Sequence, residues 1–170
     1  MVTMFTVVLF HAAAAGITPT VSSDWVTYSN TKYHYTSCYP LNMRVVPQIS
    51  DDGEVFRDND GGKITVWRNG RIKNLTLSEY TDTLVVLGGQ VISKRVKRNQ
   101  SIQVSTIDQL VFWQKTYKQQ NQYVTLEVRY RAKSTYLYES VIQQVNRCFK
   151  VLPPPKNHLS LEGLGLTIIP

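Results

Sequence analysis

An apolar stripe near the C-terminal end limits most strongly what this chain can fold into. Leu137, Val141, Val145 and Cys148 recur at spacings of four, four and three, and Ile142 and Phe149 widen the same stripe. Such spacing predicts an amphipathic helix over Thr135–Lys150, with one face that must be covered. Nearly everything upstream reads as short strands able to supply the cover. Cys148 lies on the buried side of this helix, and the only other cysteine, Cys38, lies in the first strand.

The strands announce themselves by alternation and by turn residues. From Trp25 to Pro40, Tyr33, Tyr35, Ser37 and Tyr39 share one parity and Lys32, His34, Thr36 and Cys38 the other, a strand ended by Pro40. Asp51-Asp52-Gly53 marks a turn, Glu54–Arg57 a strand, Asp58 to Gly62 a second turn and Lys63–Arg68 another strand, so a hairpin is expected. Thr76-Leu77-Ser78-Glu79 fits a capping box and opens a helix whose face is Leu77, Tyr80, Leu84 and Leu87, stopped by Gly88-Gly89. Strands then follow at Val91–Arg98, Ser101–Ile107, Leu110–Tyr117 and Tyr123–Arg131. The last alternates between Val124, Leu126, Val128, Tyr130 and Thr125, Glu127, Arg129, Arg131, as an antiparallel sheet with a polar face requires.

The ends read differently. Met1 to Ala15 contains the apolar run Val7 to Phe10, then His11 and four alanines, which predicts an export signal with a small-residue cleavage site. The run is far short of the ~20 residues a membrane span needs, so no transmembrane segment is expected in the mature chain. No Lys or Arg precedes it, so either the amino terminus alone carries the charge or the true start lies upstream. Residues 16–152 are expected to form one domain, and 153–170, opening on Pro153-Pro154-Pro155, a loosely structured tail. Composition suits a globular domain, with 42% hydrophobic and 18% charged residues among 170.

Several of these segments carry a resemblance. Tyr28-Ser29-Asn30, Tyr33-His34-Tyr35 and Tyr39-Pro40 resemble the opening strand of PsbP/Mog1-like domains, a group that includes small exported bacterial proteins of the DcrB type. Asp52 to Phe56 followed by Asp60-Gly61 resembles the hairpin that comes next, and Val145 to Lys150 the terminal helix, with Cys148 where a serine is usual and His34 where a glycine is usual. The resemblance implies an α+β fold with a single antiparallel β-sheet, flanking helices, and the C-terminal helix packed on the sheet. It implies no activity, since a fold alone does not assign one.

The residues suggest little chemistry. Asp51, Asp52, Glu54, Asp58 and Asp60 offer oxygens for Ca²⁺, but Gly62 falls where an EF-hand would need a ligand, and two Asp/Gly turns are the favoured reading. His11, His34 and His158 have no neighbours at metal-ligand spacing, so no metal or cofactor is expected. A serine elbow is absent and Cys148 is a poor nucleophile on an apolar helix face, so no enzymatic activity is expected. Lys94, Arg95, Lys97 and Arg98, joined by Arg129 and Arg131, form the candidate patch for an anionic partner. The alternative is a solvated strand pair whose charges discourage edge-to-edge association. A net charge of +7 is consistent with both. Asn74-Leu75-Thr76 and Asn99-Gln100-Ser101 match the glycosylation sequon, which matters only in a eukaryotic secretory pathway.

The expected function is an exported, non-enzymatic binding or assembly module, periplasmic or extracellular, acting on a protein or an acidic envelope component, with nucleic acid not expected. A small secreted enzyme and a toxin-immunity inhibitor are the alternatives. Two cysteines in an exported protein predict one disulfide, Cys38–Cys148. Cys38 has the polar parity of its strand, however, so the bond requires either helices on both faces of the sheet, as the resemblance implies, or a bulge before Pro40.

Overall fold

The computed structural model describes residues 24–70 and 74–153. The expected leader at 1–15 lies outside them, as does the expected tail apart from Pro153. The described residues begin with a hairpin, β1 (Trp25–Asn30) and β2 (Tyr35–Pro40), so the segment read as one strand is two. It continues through β3 (Arg44–Val46), β4 (Gly53–Arg57), β5 (Lys63–Asn69) and the helix α1 (Leu77–Asp82). Four long strands follow, β6 (Gln90–Lys97), β7 (Gln100–Ile107), β8 (Leu110–Gln119) and β9 (Gln122–Arg131). A short 3₁₀ turn, Ala132–Ser134, leads into α2 (Thr135–Cys148), and β10 (Lys150–Val151) is the last element among the described residues.

These strands make two sheets, where the sequence led to the expectation of one. The smaller has the order β1-β2-β10, and the larger runs β3-β4-β5-β9-β8-β7-β6, antiparallel throughout. The division falls at Pro40, which has no N–H to continue a ladder. There the chain turns, with Met43 donating to the Pro40 carbonyl at 2.9 Å, and β3 restarts in the larger sheet.

One face of the large sheet carries the main core. Phe56, Ile64, Val66, Val124, Leu126, Val128 and Trp113 are buried there with Tyr138, Val141 and Val145 of α2 and with Phe149, which caps it. The small sheet shares this cover: Tyr39 stacks on Phe56 with ring centroids 3.9 Å apart, and Tyr28 meets it edge-on at 5.7 Å. Tyr138 belongs to the helix face although the apolar stripe omitted it; its ring lies parallel to that of Tyr130 at 4.7 Å. Lys115, on the same sheet face, reaches Asn146 of α2 with Nζ at 2.8 Å from Oδ1.

The opposite face of β7, β8 and β9 is covered by α1. Its capping box is formed as the sequence suggests, with Glu79 N–H donating to Thr76 and the Thr76 N–H donating to Glu79. The helix stops at Asp82, earlier than the expected stop at Gly88-Gly89, and Leu87 is 97% exposed instead of packed. Thr81 and Thr83 turn their hydroxyls onto the carbonyls of Leu77 and Tyr80, and the β-branched Val85 and Val86 follow. Such a run favours leaving the helix. Tyr80 lies flat on Tyr123 at 3.8 Å, which fixes α1 to β9.

Cys38 and Cys148 form a disulfide with Cα atoms 5.9 Å apart. The β1–β2 register runs from Trp25↔Pro40 to Asn30↔Tyr35 without a shift, so no bulge is involved. Both sides of β2 are buried: Tyr35 and Ser37 on one parity, Cys38 and Pro40 on the other. The parity conflict therefore disappears because the tyrosine side meets β4 while the cysteine side meets α2.

Candidate functional site

The basic residues picked from the sequence do not form one patch. Lys94 is tied to α1, its Nζ lying 2.9 and 2.8 Å from the Ser78 carbonyl and hydroxyl and 2.7 Å from Asp82. Arg95 and Lys97 pair across to Ile102 and Gln100, placing them on the other face of β6 from Lys94. Arg98 sits in the β6–β7 turn with φ of 39°. Arg129 and Arg131 are on β9, three inter-strand steps from β6, which is roughly 14 Å.

Two surfaces remain. The first is β6 itself, the outer strand of the large sheet. Seven of its eight residues are exposed, and Val91, Ile92 and Val96 are among the exposed large hydrophobic side chains. Among the described residues it pairs only with β7, with a register shift between Val91 and Ser93. Its far edge therefore presents backbone donors and acceptors alongside Arg95 and Lys97.

The second is a polar row on the sheet face that carries α1, on β4, β5 and the end of β9 away from Tyr123. The register sets Arg57 opposite Lys63 and Lys63 opposite Arg129. In the adjacent row Thr65 stands opposite Glu127, and Glu127 opposite Gln114. Like charges directly across a ladder are destabilising, and here three cations share one line. Glu127 is the nearby carboxylate, its Oε1 3.9 Å from the Lys63 ammonium. Its Oε2 accepts from Gln114 at 2.9 Å, Gln114 from Gln103 at 3.4 Å, and Gln103 also donates to the Thr81 carbonyl of α1 at 3.2 Å. Burial holds the Lys63 ammonium below the usual lysine range; Glu127 offsets part of this, and Arg129 and Arg57 add to it. Arg129 Nε and Thr65 Oγ1 are buried with no hydrogen-bond partner.

Lys63 and Arg57 escaped the sequence reading because neither belongs to a basic run. The usable signal was the hairpin: a turn over Asp58 to Gly62 puts residue 57 across from residue 63.

Two further features sit at the edges. A cleft between Pro40–Met43, the Asp58–Asp60 turn and the start of α2 is lined by Tyr138, whose hydroxyl donates to Asp58. Burial, with Asp58 and Asp60 adding to it, pushes that phenol well above its ordinary range. Asp58 Oδ1 also accepts from the backbone amides of Asp60 and Gly62 at 2.9 and 2.7 Å, so it serves the turn. No helix among the described residues is long and apolar enough to cross a membrane.

No protein-family model matches the chain, and no curated protein does. Among solved structures it is similar to the cyanobacterial PsbP (CyanoP) of Synechocystis sp. PCC 6803, with a TM-score of 0.59 and 17% identity over 85% of this chain and 99% of that one. It is also similar to the Ran-binding protein Mog1p of Saccharomyces cerevisiae, with a TM-score of 0.56 and 10% identity over 76% of this chain and 96% of that one. The chain has a PsbP/Mog1-like fold.

Within the PsbP/Mog1-like fold, the motif residues of the first hairpin hold structure together. Asn30 Nδ2 donates to the Asp51 carbonyl at 3.0 Å, and Asn30 Oδ1 accepts from the Tyr33 amide at 3.0 Å. The Tyr35 hydroxyl donates to the Asp52 carbonyl at 2.9 Å. The hairpin is thus fastened to the β3–β4 turn, and Arg68 stacks over the Tyr33 ring at 4.4 Å. His34, where the resemblance has glycine, takes φ of 54°, and its carbonyl accepts from Leu152 at 2.7 Å.

Proposed function

We propose that this chain is an exported, non-enzymatic binding or assembly module that docks a protein along the exposed edge of β6. The single observation carrying this reading is the combination found on that strand. It has an eight-residue length, an outer edge with no partner strand among the described residues, exposed Val91, Ile92 and Val96, and cations at Arg95 and Lys97. A free edge offers main-chain hydrogen bonds to an added strand, and alternate side chains select the partner. The cations favour an acidic protein or envelope component.

Export is supported by the disulfide, which joins both cysteines of the chain, since such bonds persist in oxidising compartments. The apolar run near the N-terminus is consistent with this. Protein binding is supported by the naming of one structural neighbour, Mog1p, as a Ran-binding protein.

Recovery of a tagged chain from cell envelopes, followed by mass spectrometry, tests the reading. A specific partner is expected with the natural chain, and its loss with the pair Arg95→Glu and Lys97→Glu, exposed substitutions that leave the core untouched. A chain that recovers no specific partner but turns over members of a small-molecule panel would overturn it.

A further inference from the structure

We propose that Lys63 and Arg129, with Arg57 at the rim and Thr65 beside them, form a binding site for a free dianionic oxyanion of the phosphate type. The site lies on β4, β5 and β9 and owes nothing to the β6 edge.

Charge comes first. Arg57, Lys63 and Arg129 occupy one cross-strand line, and Glu127 is the acid facing them. Three cations against one carboxylate leave two positive charges, which a dianion balances. Glu127 cannot close the deficit itself. It meets Lys63 at 3.9 Å, the long limit of an ion pair, while its other oxygen is held by Gln114 at 2.9 Å. The chain of amides through Gln103 to the Thr81 carbonyl fixes Gln114 in turn.

Hydrogen bonding points the same way. Arg129 Nε is a buried donor with no acceptor, and the Thr65 hydroxyl beside Lys63 is buried and unpaired. A buried polar group left unmet costs about 1–3 kcal/mol, so a fold that keeps two in adjacent positions gains from a ligand that supplies acceptors. Phosphate offers more acceptor oxygens than a carboxylate, and guanidinium groups bind it through paired N–H donors. Burial is the main cause of the lowered proton affinity of Lys63, and an arriving anion would relieve the smaller repulsion that Arg129 and Arg57 add.

The test is titration calorimetry of the full chain with inorganic phosphate in a low-salt buffer near pH 7.5. Saturable one-to-one binding is expected. Weakening of roughly tenfold or more is expected for Arg129→Gln and for Lys63→Gln, since each removes a charge-assisted contact. Arg57→Gln changes an exposed side chain and leaves the core unaltered, so it reports on the site even where Arg129→Gln lowers stability; a smaller weakening is expected. Glu127→Gln is expected to tighten binding by removing the competing carboxylate. Absence of saturable binding, affinity unchanged in Arg57→Gln and Lys63→Gln, or equal displacement by acetate at matched ionic strength would each overturn the proposal. Tighter binding of glycerol phosphate than of inorganic phosphate would overturn the assignment to the free anion. Binding lost in these variants while envelope partner recovery persists separates this site from the β6 edge.

Discussion

Cys148, the last residue of α2, is bonded to Cys38 in β2, and the two Cα atoms are 5.9 Å apart across 110 residues of sequence. The bond ties the end of the helix covalently to the β1–β2 hairpin. Closing a loop of that length restricts the unfolded chain by about 4–5 kcal/mol in the chain-entropy model. Guanidinium denaturation with and without a reductant is therefore expected to show a loss of about 3–5 kcal/mol on reduction. Cys38→Ser and Cys148→Ser should each reproduce it and be insensitive to reductant. Equal stability in the two conditions would contradict this.

Gly62 leaves room for the Tyr138 hydroxyl: a methyl group built there would overlap that oxygen and press on Asp58. Gly62→Ala is expected to cost about 1–3 kcal/mol, the usual range for overpacking. Tyr138→Phe removes the hydroxyl and its bond to Asp58, so the double variant should lose less than the two single losses combined. Strict additivity in a thermal-unfolding cycle would show that the two sites are uncoupled.

His34 adopts a left-handed backbone at φ 54° that a side chain disfavours. Replacing it with glycine is expected to raise stability by about 0.5–1 kcal/mol, and with valine to lower it. Denaturant midpoints of the three chains decide the order.

The capping box supplies a pH signature. The Glu79 carboxylate, which accepts from the Thr76 amide and lies near the Thr76 hydroxyl, titrates below the ordinary glutamate value of 4.5. A lowered folded value means the contribution is complete above about 4.5 and disappears as pH falls through the folded value. Glu79→Gln is therefore expected to be less stable than the natural chain at neutral pH and to converge with it in acid. A stability difference that stays constant from pH 7 to pH 3 would rule the linkage out.

Much of the framework was legible in local patterns. The stripe from Leu137 to Cys148, the capping box at Thr76 and Glu79, and the alternation of Val124 to Arg131 each depend on near neighbours, and each forms where the sequence placed it. The pairing of sheets was not legible: Pro40 ends β2 as the sequence indicates, but which sheet the strands on either side join depends on packing on Phe56, far along the chain. Helix α1 shows the same limit: Leu84 and Leu87 had the right spacing, but hydroxyl competition at Thr81 and Thr83 ended the helix first. Cross-strand geometry also decided the charges. Lys94 to Arg98 is dense in sequence yet divided between two faces, while Arg57, Lys63 and Arg129 are distant in sequence and adjacent in the sheet.

The position of the disulfide also sets how the molecule would bear tension. Every strand of the seven-stranded sheet lies between Cys38 and Cys148 in the sequence. Among the described residues, a pull from the C-terminal side first meets the two-residue pairing of β10 with Thr36 and Tyr35, and then the covalent bond to β2. Load applied between the two ends would pass from β1 across the small sheet and through the sulfurs, bypassing the large sheet. In a tethered chain, the surfaces on β6 and on β4, β5 and β9 would keep their shape under strain while the small sheet yielded.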